Sequence, residues 1–291
     1  MSGITVGTEN MKNLDLPVGL EKFRSKLEPT VKSYIKIQAQ FSRETTLWQS
    51  KFAGFPYLPK SFEYPTTPKG EYLHLLAQIN FDEVPNLAGF PTTGILQFYI
   101  ARDGAYGQDF ENPTDQSNFR VLYFPDIERN EDGLMTNFDF LPTLWEYGKE
   151  FIPFYIFPSY APHRDDCFAL SFNLESAPIS DCDYQFEEWV GNEIWNVFQA
   201  NNYALGTEYR ERFVEGHRIG GYPNFAQADF REALTESEEP HTLLLQIDFD
   251  PGEMEKISIE WGDIGVGNFW IKESALKNLD FSEVLYNWDC S

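Results

Sequence analysis

Two halves of the chain answer each other. Phe52-Ala53-Gly54-Phe55-Pro56 is matched by Ile219-Gly220-Gly221-Tyr222-Pro223, and Leu75-Leu76-Ala77-Gln78-Ile79-Asn80-Phe81-Asp82 by Leu243-Leu244-Leu245-Gln246-Ile247-Asp248-Phe249-Asp250. A third pair is Gly94-Ile95-Leu96-Gln97-Phe98-Tyr99-Ile100 and Gly265-Val266-Gly267-Asn268-Phe269-Trp270-Ile271. The order is kept, and the second member follows the first by 167 to 171 residues each time. Solenoid repeats run about 20 to 50 residues, so this spacing points to one duplicated subdomain rather than an array. Each unit carries a Gly/aromatic-Pro turn, a strand with an embedded Gln, and an aromatic strand after a glycine. Gly54 and Gly221 allow backbone conformations closed to other residues, and Pro56 and Pro223 stiffen the next step. Gln78 and Gln246 interrupt apolar runs, where an unpaired amide costs about 1 to 3 kcal/mol, so each is expected to pin a neighbouring turn.

The expected fold is therefore α+β: β-rich, internally duplicated, with two pseudo-symmetry-related β subdomains and a few peripheral helices. Residues 1–291 are expected to form one unit. Within it, the first copy spans 48–160, with a helix and strand before it. A connecting segment with a helix spans 161–215, and the second copy spans 216–291.

Local periodicity fills in the elements. Leu20, Phe23 and Leu27 fall at helical spacing within Leu16 to Leu27, between Pro17 and Pro29. From Val31 to Phe41 the period drops to two, with Ile35, Ile37, Ala39 and Phe41 on one face and Lys36, Gln38 and Gln40 on the other. Pro56, Pro59 and Pro65 break any regular ladder in the passage that follows. Strands are predicted at Leu73 to Phe81, Ile95 to Ile100, Phe119 to Phe124, Phe151 to Phe157 and Cys167 to Leu174, with a polar loop over Arg102 to Asn118. Phe186, Trp189, Val190, Ile194, Val197 and Phe198 predict one helix over Asp181 to Ala200, with Ser180 and Asp183 as its start signal.

Charge excludes several classes. The chain has 22 Lys+Arg against 46 Asp+Glu, a formal net charge of −24, and no basic run offsets it. Such a surface repels phosphate backbones and anionic headgroups, so neither nucleic acid nor membrane is expected as a partner. No stretch approaches the ~18 apolar residues of a membrane span, and Met1 to Asn10 lacks the pattern of a signal peptide, so a cytoplasmic protein is expected. With 26 Phe, 15 Tyr and 7 Trp the chain can build a large core. Cys167, Cys182 and Cys290 match neither a disulfide framework nor a CxxC zinc knuckle. His163 near Cys167, with Asp165, Asp166, Asp181 and Asp183 around the pair, offers no regular ligand spacing, so no metal is assigned and no cofactor is expected.

Sites with chemistry are weighed against plainer roles. His217, Arg218 and Asp263 could assemble an acid/base pair, yet no nucleophile elbow accompanies them, and a His beside a turn or an Asp after Gly262 more simply fixes the backbone. Asp248 and Asp250 share a strand face and could hold Ca²⁺ with Asp229 or Glu253, but no calcium-loop pattern is present. Gly262, Gly265 and Gly267 lack the Lys-Ser/Thr of a phosphate loop. Trp261, Trp270, Tyr222 and Tyr57 could form a sugar-stacking platform, although aromatics at duplicated positions are more simply core. No catalytic residue is assigned. The candidate binding residues are Lys51, Gln78, His217, Arg218, Tyr222, Gln246, Trp261 and Asp263.

Several motifs carry a resemblance. They are Ser50-Lys51-Phe52-Ala53-Gly54-Phe55-Pro56, Leu76-Ala77-Gln78-Ile79-Asn80-Phe81, Gly94-Ile95-Leu96-Gln97-Phe98-Tyr99 and Phe119-Arg120-Val121-Leu122-Tyr123 in the first half. In the second they are Gly216-His217-Arg218-Ile219-Gly220-Gly221-Tyr222-Pro223, Leu243-Leu244-Leu245-Gln246-Ile247-Asp248, Trp261-Gly262-Asp263 and Tyr286-Asn287-Trp288-Asp289-Cys290. From about Lys51 to Cys290 the chain resembles the YwqG-like family, also known as domain-of-unknown-function family 1963. The resemblance implies a bacterial cytoplasmic protein with a compact, β-rich, duplicated fold, and it brings no reaction or catalytic residues. Ala53 departs from it, standing where that family often has a second glycine, as at Gly220.

The function expected from charge is that of a non-enzymatic binding protein whose acidic surface steers in a basic protein partner, as an immunity-type inhibitor of a basic nuclease or toxin would. The alternative is a small molecule or carbohydrate held in the groove between the two copies, with hydrolysis left open.

Overall fold

The structure, a computed structural model, describes residues 14–141, 152–200, 202–234, 239–253 and 256–291. Met1 to Asn10 and Phe151, both used above, lie outside the described residues. The strands are β1 (Lys32–Ser42), β2 (Lys51–Ala53), β3 (His74–Asn80), β4 (Ile95–Ile100), β5 (Phe119–Phe124), β6 (Phe154–Ile156), β7 (Cys167–Ala177), β8 (Arg218–Gly220), β9 (His241–Ile247), β10 (Asp250–Glu253), β11 (Ile257–Ile259), β12 (Val266–Lys272) and β13 (Leu285–Asp289). Ten of them form one curled sheet in the order β13-β12-β9-β8-β1-β7-β2-β3-β4-β5, and β10-β11-β6 form a small second sheet.

The long β1 and β7 lie in the middle, antiparallel over their full length from Lys32↔Ala177 to Ser42↔Cys167. Four strands flank this pair on each side. The strands nearest the first-half edge are buried throughout: every residue of β3 and of β4 is buried, which explains why they read as continuous apolar runs rather than alternating ones. One face of the sheet is lined by Ile35, Leu76, Phe98, Leu244 and Phe269, which form the main core. The curl brings the two wings together there: the Phe98 and Phe269 rings lie 4.8 Å apart, and those of Phe119 and Tyr286 lie 5.3 Å apart.

Helices cover the other face near the centre. The N-terminal segment is helical as predicted but divided, with 3-10 turns at Val18–Phe23 and Glu28–Thr30 around α1 (Arg24–Leu27); Leu20, Phe23 and Leu27 are buried. The single helix predicted over Asp181 to Ala200 is two, α2 (Phe186–Val190) and α3 (Glu193–Gln199). Gly191 between them has φ +85°, a left-handed conformation that stops the first helix. Ser180 and Asp183 do not cap α2; their side chains accept from the Cys182 and Gln185 N–H groups and shape the preceding turn. A further helix, α4 (Ala204–Phe213), was not predicted; it buries Tyr209 and Phe213 against Tyr34, Phe186 and Phe198 in the same cluster. The short α5 (Glu273–Lys277) follows β12.

β5 and β13 are the sheet edges, and the predicted polar loop over Arg102 to Asn118 bridges them. Tyr286 donates its N–H to Pro113 O at 2.9 Å and its hydroxyl to Tyr106 O at 3.0 Å. Trp288 donates its indole N–H to Ala105 O at 2.6 Å, and Gln116 reaches Phe281 O at 2.7 Å.

Candidate functional site

The candidate residues fall mostly into two parallel frameworks. In the first half, Lys51, Gln78 and Gln97 stand side by side on β2, β3 and β4. Gln78 accepts from Tyr57 N and from Gln97 Nε2, each at 2.7 Å, and donates to Leu47 O and Gln49 O, each at 2.8 Å. Gln97 also donates to Tyr57 O at 2.6 Å. In the second half, Arg218, Gln246 and Asn268 occupy the same relation on β8, β9 and β12. Gln246 accepts from Asn224 N and donates to Gly216 O, both at 2.7 Å, while Asn268 donates to Asn224 O at 2.9 Å. Both glutamines therefore pin turns.

A buried cation accompanies each framework. Lys51 is 1% exposed, and its ammonium donates to Thr46 O at 2.5 Å and Phe55 O at 3.2 Å. Burial pushes its pKa down to about 8. Arg218, also buried, donates to Phe213 O, Val214 O, Glu215 O and Tyr222 O, and its guanidinium lies 4.6 Å from the Tyr34 ring centre. Desolvation lowers its pKa as well. The hydrogen bonds of these two cations go to main-chain carbonyls of the frame, and Arg218 Nε, which makes none, is itself buried.

The remaining candidates do not converge. His217 is buried; its Nδ1 accepts from Asp248 N at 2.9 Å, and its Nε2 lies 3.3 Å from Asp250 Oδ2, so its carboxylate neighbour is Asp250. Burial acts to raise the Asp250 pKa, but His217 and the Gly252 N–H outweigh it and the carboxyl lies below its ordinary value. Asp263 is exposed and accepts through its main-chain oxygen from Ser291. Trp261 is buried against Tyr106 and Trp288. Tyr57, Trp270 and Tyr222 are buried too, so the four aromatics do not form one open stacking platform, although Tyr222 and Trp270 border the cleft described below.

The carboxylates considered for calcium are each committed elsewhere. Asp248 accepts from Gly216 N, Asn224 Nδ2 and Phe249 N, while Asp229 holds Arg231. Cys167 is buried beside Thr45 and Ser42, whereas His163 is exposed. Among the described residues no group of three or more His, Cys, Asp or Glu side chains is arranged to hold a metal ion. Gly265 and Gly267 serve close packing: a Cβ on Gly267 would lie 2.4 Å from the Trp261 ring.

A cleft of about 850 Å³ opens where the loop after β3 meets the second half of the sheet. Leu87 and Phe90 form one wall, the Gly220-Gly221-Tyr222 turn and the start of β9 the other. Gly220 has φ +72°, and a Cβ there would come within 2.8 Å of Leu87 Cδ2, so glycine is what lets the two walls approach. Tyr222 is the one residue predicted for binding that borders this cleft; burial pushes its phenol well up, and its hydroxyl donates to Thr30 O at 2.7 Å. Sequence reasoning missed the cleft's charged centre. Arg231 donates through Nε to Asp229 Oδ1 at 2.9 Å and through Nη2 to Asp183 Oδ2 at 2.8 Å and Asp229 Oδ2 at 2.5 Å. Its guanidinium lies 4.1 Å from the Trp270 ring centre and 5.2 Å from that of Tyr184. Lys32 enters from β1, with its ammonium 4.3 Å from the Tyr222 ring centre.

A curled antiparallel sheet with a cleft beside its Gly-Gly turn, and with the polar side chains embedded in its strands spent on internal frameworks, is the class of molecule defined here: a β-rich scaffold with a pocket. The family model described as domain of unknown function (DUF1963) matches residues 50–290, and the chain belongs to that family. No curated protein matches it. Among the described residues no helix is long and apolar enough to cross a membrane.

Proposed function

We propose that this chain is a non-enzymatic binding protein whose ligand is a small molecule held in the cleft between its two halves. The observation that carries this reading is the cleft itself, whose volume of about 850 Å³ lies in the range of ligand sites, about 300 to 1,000 Å³. Its lining sets apolar walls from Leu87 and Phe90 beside charged side chains of both signs, so a ligand there meets polar groups able to orient it. The side chains that could do acid/base work, His217 and Lys51, are instead tied into the frame, which favours binding over catalysis.

The same reading takes the molecule to be an internal duplication with a pseudo-two-fold relation across the β1–β7 pair. Its support is the repeated hydrogen bonding: Lys51 and Arg218 each donate to the carbonyls five residues before and four after them, and each Gln amide grips the corresponding turn. A ligand cleft at the junction of two such units is a common arrangement.

The test is a melting-temperature screen of the full chain against amino acids, sugars, nucleosides and carboxylic acids, repeated on Ser33→Trp, which fills the cleft from an exposed lining position. A compound that raises the melting temperature of the parent but not of the variant supports the reading. A screen with no responder, or a response unchanged in Ser33→Trp, overturns it. The −24 charge favours a second reading, a basic protein partner on the acidic surface in the cytoplasm; capture of one stoichiometric basic protein, released by moderate salt, tests it.

A further inference from the structure

Two cations face this cleft with donors that the protein leaves unused. Arg231 spends Nε and Nη2 on Asp229 and Asp183, but Nη1 makes no hydrogen bond among the described residues. That nitrogen is not sealed in the core, since it is absent from the buried atoms lacking partners. Lys32 makes no hydrogen bond or ion pair among the described residues; its ammonium lies over the Tyr222 ring, within the fields of Asp183, Glu273 and Arg231. Much of Lys32 is open to solvent, yet the cleft walls desolvate its ammonium enough to lower its pKa. The guanidinium is already fixed by two carboxylates and two rings, so a ligand that uses Nη1 orders nothing further.

The rest of the lining limits what that ligand can be. Asp183, Glu232, Glu239 and Glu273 border the same cleft, so four carboxylates outnumber the two cations, Lys32 and Arg231. A dianion such as a phosphate monoester is repelled by that surplus, on top of the −24 of the whole chain. A ligand that carries a carboxylate and an ammonium apart from each other satisfies both sets. Glu239 is held in place by the Ser274 N–H at 2.8 Å and hydroxyl at 2.6 Å, a fixed anion at the rim.

We infer that the cleft binds a zwitterion of the amino-acid type, a free amino acid or short peptide, with its carboxylate on Arg231 Nη1 and Lys32 Nζ and its ammonium toward Glu273 and Glu239. The inference rests on the cleft being a ligand site, as proposed above, and adds the class of ligand.

Calorimetry on the full chain at pH 7.5 and low salt tests it, using the free L-amino acids and trialanine, each also as its C-terminal amide and its N-acetyl derivative. Charge-assisted hydrogen bonds are worth about 1.5 to 3 kcal/mol, so either blocking group is expected to weaken binding about 10-fold or more. Lys32→Gln, an exposed substitution, is expected to weaken the free acid about 10-fold and leave the amide unchanged. Glu273→Gln, also exposed, is expected to weaken the free amine and spare the N-acetyl form. Equal affinity for acid and amide, or equal loss of both in Lys32→Gln, overturns the carboxylate contact. If every one of these probes fails while another compound gives a response lost in Ser33→Trp, the zwitterion is wrong and the cleft reading stands; if nothing at all responds, both fall.

Discussion

Removing the embedded glutamines should destabilise the two halves unequally. Gln78→Met deprives Tyr57 N, Leu47 O and Gln49 O of their partner and takes from Gln97 one of two acceptors. Gln246→Met deprives only Asn224 N and Gly216 O. A polar group left unpaired in the interior costs about 1 to 3 kcal/mol, and the more apolar methionine side chain offsets part of it, so the expected losses are about 4 kcal/mol for Gln78→Met and about 2 kcal/mol for Gln246→Met. Urea unfolding followed in parallel by tryptophan fluorescence and circular dichroism measures both, provided the two probes coincide and the slope with denaturant is unchanged. Equal losses, or a larger loss for Gln246→Met, would refute the idea that the cost scales with the number of backbone groups each amide holds.

Three further outcomes are expected. The Lys51 pKa of about 8 lies below its unfolded value near 10.5, so between these pH values the unfolded chain binds a proton that the folded chain does not, and stability should rise with pH by about 3 kcal/mol relative to a Lys51→Met variant; a pH-independent difference from pH 7 to 10.5 contradicts the burial argument. Ala53 (φ +56°) and Gly220 (φ +72°) occupy matching left-handed positions; Ala53→Gly relieves strain but loses a buried methyl and should stay within about 1 kcal/mol of the parent, whereas Gly220→Ala should cost at least about 2 kcal/mol through strain and collision with Leu87, as thermal denaturation can measure. Gly267→Ala pushes a Cβ into the Trp261 ring and should cost about 1 to 3 kcal/mol, with a shift in tryptophan emission as the independent readout.

The strands were legible because their pattern is local. Ile95 to Ile100 and Phe119 to Phe124 occupy their predicted bounds, and Val31 to Phe41 is displaced by one residue as Lys32–Ser42. Helices were harder. The stop at Gly191 depends on a left-handed φ that nothing in the surrounding apolar spacing announces. The α4 signal was present as Leu205, Tyr209 and Phe213 at intervals of four, but Gly206 interrupts it, and the residue before it, Tyr203, caps nothing and is itself left-handed. Pinning by Gln78 and Gln246 could be read because an amide in an apolar run has to find partners. The cleft could not. Lys32 reads as the solvent side of a strand, and the neighbours Asp183 and Tyr184 lie far in sequence from Arg231, so that only the packing of the helical layer against the sheet brings them together.

The place of β1 in the sheet has a consequence for how the chain is made. Its partners on both sides, β7 and β8, come much later in the sequence, whereas β2 to β5 pair with one another within one continuous stretch. On a ribosome adding about 5 to 20 residues per second, β1 waits on the order of ten seconds for residues 167–177 to emerge before its ladder can form. During that interval the strand that will stand at the centre of the molecule is an unpaired apolar edge, and the slowest step of folding should be the capture of β1 by β7.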